Sequence, residues 1–235
     1  MKLSVVLPTR GLIFTEVMEQ LEKIRHTSIR MNETVDMHIF FSKDLGIPDA
    51  LKTLVDRALA INPEYLLFIE EDTVPPDEAL RFLVNAEADV AFIDYSVNGW
   101  ACSATYTTGE ILWCGLGCTL VRASVFQELP RPYFRTDKSL SLNEETYFQW
   151  KDIPNKYGGQ DIWFFTQVRE AGFSLVKVSG ECRHLRLVSL ARLGVNNGRH
   201  VIAPKPTIVN YKKYEKPLTS GRSVDDNVHI GNLTH

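Results

Sequence analysis

A chain of 235 residues with 44% hydrophobic content can bury one sizeable core, and although its length permits two small domains, one is expected. A net charge of −3 argues against a general nucleic-acid binder. No apolar run reaches the ~18 residues of a membrane span, and the run "LSVVLP" is stopped by Arg10 too early for a signal peptide. A cytoplasmic protein is expected, with Cys102, Cys114, Cys118 and Cys182 as buried thiols, because they are too sparse for a disulfide scaffold and lack C-x-x-C spacing.

In chain order, "KLSVVLP" is short, continuously apolar and β-branched, which suits a strand buried on both faces. A helical pattern follows from Phe14 to Ile24, then a second strand, "MHIFF". Pro48 and Asp49 open a helix to about Ile61, since proline is tolerated in a first helical turn and an acid favours it. "YLLFI" is a third strand, Pro75 and Pro76 introduce a helix to Asn85, and "DVAFID" is a fourth strand. This alternation implies a mostly parallel central sheet with helices on both faces. Beyond it, "SATYTTGEILWCGLGCTLV" reads as a β-hairpin around Gly109 and a glycine-broken segment, and "RASVFQEL" as a short helix. Residues 130–159 read as a long loop rich in Pro and aromatics, of the kind that is usually functional or disordered. "QDIWFFTQVREAG" is a helix ended by Gly172, and "FSLVKV" a further strand.

Two features stand out electrostatically. The third strand runs into Glu70, Glu71 and Asp72 at its carboxyl end, where open α/β sheets bind ligands. On an extended segment, Glu70 and Asp72 share one side and can grip one cation. Oxygen ligands suit Mg²⁺ or Mn²⁺, and Mg²⁺ completes its shell with water and substrate phosphates, so a nucleoside-diphosphate site is outlined. Secondly, from Arg183 to Arg222 nine Lys or Arg face one acid, Glu215, a surplus of +8 against −11 for the remainder. Such asymmetry suits a phosphate-bearing partner.

The N-terminal "VVLPTR", the acidic triplet, "CGLGCTLVRASVF", "GGQDIWFFTQVREAGF" and a later His184, in this order over roughly residues 3–186, resemble the GT-A glycosyltransferases, especially the family-2-like group. The resemblance implies a single GT-A (Rossmann-like) domain over 1–186, followed by a basic, partly irregular C-terminal extension over 187–235. It implies a metal-dependent transfer of a sugar from a nucleotide-diphosphate donor, UDP-linked, to a hydroxyl acceptor. Pro8, Thr9 and Arg10 would line the nucleotide pocket, with Ser42 to Asp44 near the base. Asp72 would be a metal ligand, Glu71 would face the ribose, Glu70 would be a second or water-mediated ligand, and His184 would complete the shell of Mn²⁺ or Mg²⁺. Asp161 would be the general base of an inverting reaction, with Gln160 beside it and Gly158–Gly159 as the hinge of a closing loop.

Two departures matter. Glu70 stands where the family usually has aspartate, and Gln160 stands where it has glutamate, so the base role rests on Asp161 alone because an amide takes no proton. At a first helical turn the dipole should hold Asp161 anionic and lower its pKa. Trp150, beside Tyr147 and Phe148, is the candidate acceptor contact, and a phosphate-bearing acceptor (modified nucleic acid, glycan or lipid phosphate) would meet Arg186, Arg192 or Arg199. The other readings are a nucleotide-sugar binder without turnover, and a nucleotidyltransferase. The second is disfavoured by the single glycine of "TRGLIF".

Overall fold

Every residue of "LSVVL" is buried, and its side chains alternate between two apolar clusters. Leu3, Val5 and Leu7 point to one side and Val6 to the other, as the two-residue period of a strand requires. A strand apolar on both faces needs a helical layer on each, and the computed structural model supplies both. It describes residues 1–26, 34–42, 45–106, 108–142, 148–152, 159–189, 200–202 and 210–214, with backbone alone for 47, 139–142, 148–152, 187–189, 200–202 and 210–214.

The elements in chain order are β1 (Lys2–Leu7), α1 (Thr15–Arg25), β2 (Asp36–Phe41), α2 (Ile47–Leu59), β3 (Tyr65–Ile69), β4 (Thr73–Val74), α3 (Ala79–Asn85), β5 (Val90–Phe92), β6 (Ser96–Val97), β7 (Trp100–Tyr106), β8 (Ile111–Cys114), β9 (Cys118–Arg122), α4 (Val125–Glu128), β10 (Lys138–Leu142), β11 (Phe148–Asp152), α5 (Gln160–Glu170), β12 (Leu175–Lys177), β13 (Arg183–His184), β14 (Leu187–Ser189), β15 (His200–Ile202) and β16 (Asn210–Tyr214). The central six-stranded sheet has the order β12-β5-β9-β3-β1-β2. All its strands run in one direction except β9, which is antiparallel to both β3 and β5. Helices α2, α4 and α5 cover the face that carries Val6, Leu66 and Phe68. Helices α1 and α3 cover the face that carries Val5, Leu67 and Ile69. The expected mostly parallel, doubly covered α/β sheet is therefore present.

The helix starts follow local chemistry. Gly46 caps α2, with Pro48 and Asp49 in its first turn. Gly159, at φ 81°, caps α5, a backbone conformation that costs a glycine little. On the α5 side of the core, Phe164 stacks on Phe126 at 5.4 Å and packs near Phe68 and Phe134.

One expectation is corrected. Residues 130–159 are not one continuous loop, because β10 and β11 pair as an antiparallel hairpin. The segment "KSLSL" alternates polar and apolar residues and "FQWKD" carries two aromatics, a pattern that fits strands. Within the stretch expected as a partly irregular C-terminal extension, β16 joins β7 in parallel in a second sheet with β6 and β8.

Candidate functional site

The acids at the end of β3 do not continue the strand. The Thr73 N–H donates to the Glu70 carbonyl at 3.1 Å, so Glu70 to Thr73 form a tight turn. The expectation of an extended segment is therefore corrected, although the turn still brings Glu70 and Asp72 together. After it, β4 pairs antiparallel with β13, placing Thr73 opposite His184, and the Leu185 N–H donates to the Asp72 carbonyl at 2.6 Å. A residue over a hundred positions later thus reaches the triplet through a two-residue ladder.

One ligand atom from each of Glu70, Asp72 and His184 lies within 4.8 Å of the others. His184 Nε2 is 3.4 Å from Asp72 Oδ2, and both side chains are largely buried. The donor set of two carboxylates and an imidazole is one that Mn²⁺ accepts, so these residues fit a divalent cation. Tyr95 completes the arrangement: its hydroxyl donates to Glu70 Oε2 at 3.0 Å, and its ring stacks on the His184 imidazole at 5.8 Å and 8°.

Glu71 turns elsewhere. Its carboxylate accepts from the Arg10 backbone N–H at 2.7 Å and from Arg10 Nε at 2.6 Å. That ties the loop after β1 to the triplet. The same loop is braced internally by Thr9, whose hydroxyl donates to the Leu12 carbonyl and accepts from the Gly11 N–H, and whose N–H donates to Ser42 Oγ. Pro8, Thr9, Arg10, Glu70, Glu71, Asp72, Gln160 and His184 line one cleft of about 290 Å³, walled on its apolar side by Leu45, Ala50, Leu51 and Leu116. Ser42 is buried behind Thr9. Asp44 and Arg192 lie outside the described residues, as does the side chain of Trp150, which sits on β11. Arg186 is exposed and donates to Asn98 Oδ1 at 2.9 Å.

Asp161, in the first turn of α5, is only partly exposed. Burial pushes its carboxyl up to about 6, against a weaker downward pull from its own backbone N–H. The expectation of a lowered value is thus corrected, because desolvation outweighs the helix dipole. Glu70 is pushed further, to about 8, first by burial and then by the negative charges of Asp161 and Asp72, while the Tyr95 hydroxyl and Arg10 pull it down. Burial first, and the neighbouring carboxylates second, thus disfavour an ionised Glu70, a cost that a bound cation offsets.

A stability test follows from the sign of these shifts. Both folded-state values exceed the ordinary 4.5 and 3.8, so the folded protein holds these protons more tightly than the unfolded chain. Their stabilisation is complete below about pH 4 and is lost as pH rises towards 8. Metal-free protein is expected to lose Tm between pH 5 and pH 8, Glu70→Gln to flatten that slope and melt higher at pH 8, and Mn²⁺ to restore the wild type there. Calorimetry at the two pH values checks this, and a Glu70→Gln variant less stable than wild type at pH 8 without metal contradicts it.

Sequence reasoning missed Tyr95. The available signal was the pair Gly115 and Gly117, since close-set glycines before a strand mark a close approach of another group.

No protein-family model matches the chain, and no curated protein does. Among solved structures, it is similar to A197 from STIV, at 15% identity and TM-score 0.52, over 89% of this chain and 97% of that one. It is also similar to the catalytic domain of Drosophila beta1,4galactosyltransferase 7, in a complex with xylobiose (17% identity, TM-score 0.45, 75% of this chain and 64% of that one). A further similar structure is glucosyl-3-phosphoglycerate synthase from Mycobacterium tuberculosis in complex with Mn²⁺ and UDP-glucose (13% identity, TM-score 0.46, 82% and 74%). At these identities the likeness is one of fold. With its sheet order, its single reversed strand and helices on both faces, the chain has an open, mostly parallel α/β fold, similar overall to that of A197 from STIV.

Proposed function

We propose that this protein is a metal-dependent glycosyltransferase that moves a sugar from a nucleoside-diphosphate donor, UDP-linked, to a hydroxyl acceptor with inversion. The observation that carries this reading is the convergence of Glu70, Asp72 and His184 within 4.8 Å on a cleft whose other wall is the Pro8–Arg10 loop. Glu70, Asp72 and His184 would hold Mn²⁺ or Mg²⁺, which when bound supplies charge stabilisation to a departing diphosphate, worth several kcal/mol as an order of magnitude.

The chain's own groups do the rest. The loop of Pro8, Thr9 and Arg10, locked by Glu71 and Ser42, forms a preset wall for the nucleotide. Leu45, Ala50 and Leu51 offer it an apolar surface. Asp161 accepts the acceptor's proton as the new bond forms. With its carboxyl near 6 it is ionised at neutral pH yet basic enough to be useful. Gln160 lines the cleft, and its buried Oε1 lacks a hydrogen-bond partner among the described residues, so it is available to a hydroxyl of either substrate.

Among the described residues no helix is long and apolar enough to cross a membrane. The basic stretch remains the basis for an acceptor that carries phosphate, with Arg186 exposed on the strand end beyond His184. A binder without turnover is favoured by one observation, the amide at position 160.

The test is a donor screen by titration calorimetry with UDP, GDP, CDP and ADP, each with and without Mn²⁺, followed by hydrolysis of the matching nucleotide sugars. Mn²⁺-dependent binding of UDP with slow sugar release is expected. Binding without any release on adding acceptor libraries leaves the binder, and no nucleotide binding at all removes both readings.

A further inference from the structure

We infer that Tyr95 is the positioning residue of the cation site, and that the run Cys114-Gly115-Leu116-Gly117-Cys118 is glycine-rich in order to seat its ring. This rests on the reading of Glu70, Asp72 and His184 as cation ligands. One side chain touches two of those three groups. The hydroxyl donates to Glu70 Oε2 at 3.0 Å, which fixes the carboxylate's rotation and leaves Oε1 as the oxygen to offer a cation. The ring lies parallel to the His184 imidazole, 5.8 Å between centroids, which restricts its tilt.

The glycines follow from that packing. A Cβ at Gly115 would come within 2.8 Å of Tyr95 Cζ, and one at Gly117 within 2.7 Å of Tyr95 Cε1 and 3.1 Å of Thr73 Oγ1. Neither position has the left-handed backbone that would otherwise call for glycine, since the positive-φ glycines lie elsewhere. Closeness to the tyrosine ring is thus what excludes a side chain there.

Neither partner can easily give way. The Gly115 N–H donates to the Cys102 carbonyl at 2.6 Å, its carbonyl accepts from Thr119 Oγ1 at 2.9 Å, and the Cys118 carbonyl accepts from the Ile93 N–H at 3.0 Å. On the other side, the Tyr95 carbonyl accepts from the Cys102 N–H at 2.8 Å and the Tyr95 N–H donates to Asp94 Oδ1 at 2.9 Å. Asp94, buried, is in turn held by Ser103 Oγ and Lys177 Nζ. Tyr95 is therefore a rigid strut between β9's entry and the acidic turn. Outer partners of this kind orient metal ligands, and their loss usually weakens metal binding by roughly 10 to 100-fold.

The experiment is Mn²⁺ titration, followed by the electron paramagnetic resonance signal of the free ion, on wild type, Asp72→Asn, Tyr95→Phe and Gly117→Ala. Tyr95→Phe keeps the ring and its stacking while removing the hydroxyl. It is expected to bind Mn²⁺ about tenfold more weakly than wild type, with an altered signal of the bound ion and an unchanged circular dichroism spectrum. Gly117→Ala, which must push the ring off its seat, is expected to weaken binding at least as much, and it serves as the test should Tyr95→Phe not fold. In a Tyr95→Ala background the added Gly117→Ala should cost far less than in wild type, since only the 3.1 Å approach to Thr73 Oγ1 is left. If wild type binds Mn²⁺, Asp72→Asn does not, and Tyr95→Phe or Gly117→Ala binds as wild type does, the positioning role is overturned while the cation site stands. If wild type binds no Mn²⁺ that depends on Asp72, the cation site and this role fall together.

Discussion

Replacing Asp161 by asparagine is expected to lower kcat for sugar transfer by roughly 10² to 10⁴-fold, the range that a positioned general base contributes. The substitution is nearly isosteric and leaves the α5 cap at Gly159 in place, so Mn²⁺ and donor binding should persist. It also removes the second-largest influence that raises Glu70, which eases ionisation of that ligand. The pH profile supplies the sharper criterion. In wild type the acid limb of kcat/KM should fall at or below about 6, because burial raises Asp161 while a nearby cation lowers it. In Asp161→Asn that limb should vanish. Steady-state kinetics from pH 5 to 8 check both, and an Asp161→Asn enzyme with near wild-type kcat would assign the proton to another group.

The other large effect is expected at Asp72. Asp72→Asn should reduce transfer by about 10³-fold, the several kcal/mol of charge stabilisation lost with the ion, at tenfold per 1.4 kcal/mol. The same change should not destabilise metal-free protein, since Asp72 is one of the charges that burden Glu70 and the backbone bond from Leu185 to its carbonyl is retained. Activity and stability thus move independently. Single-turnover kinetics beside a melting curve at pH 8 show whether they do; a variant that transfers sugar normally in Mn²⁺ would take Asp72 out of the site.

Much of the fold was legible because burial on both faces leaves a plain mark in the chain. The runs that become β1, β3 and β5, and the proline-led or acid-led helix starts, follow from apolar runs and caps that act within a few residues, whereas β2, an edge strand, is apolar in sequence yet largely unburied. The hairpin of β10 and β11 was overlooked although its pattern fits strands, since each run is only five residues long and the pair lies between Pro-rich and Gly-rich stretches. Two-residue strands such as β4 and β13 have no pattern at all. They exist because their partners are brought together by the rest of the fold.

The candidate site divides in the same way. The like-charged triplet after an apolar run was visible as chemistry, because three adjacent acids need an explanation wherever they fold. The commitment of Glu71 to Arg10 and the hydroxyl of Tyr95 on Glu70 depend on contacts 25 to 61 residues apart in sequence, and the turn is joined to Leu185, over a hundred residues later. The height of Asp161's carboxyl was misjudged for a related reason. A helix dipole can be read from position alone, whereas desolvation depends on what the finished structure packs around the group.

Because β9 alone runs against its neighbours, Ile69 at the outgoing end of β3 lies opposite Cys118 at the incoming end of β9. A uniform sheet would supply its working rim only with segments that leave strands. Here one segment arrives at the rim before entering its strand, and the two kinds of connection face each other across the cleft. Lengthening the peptide just ahead of Cys118 would therefore intrude on the cleft that Leu116 lines with Glu70, Asp72 and His184, while the far end of the same strand, near Arg122, sits on the opposite edge of the sheet.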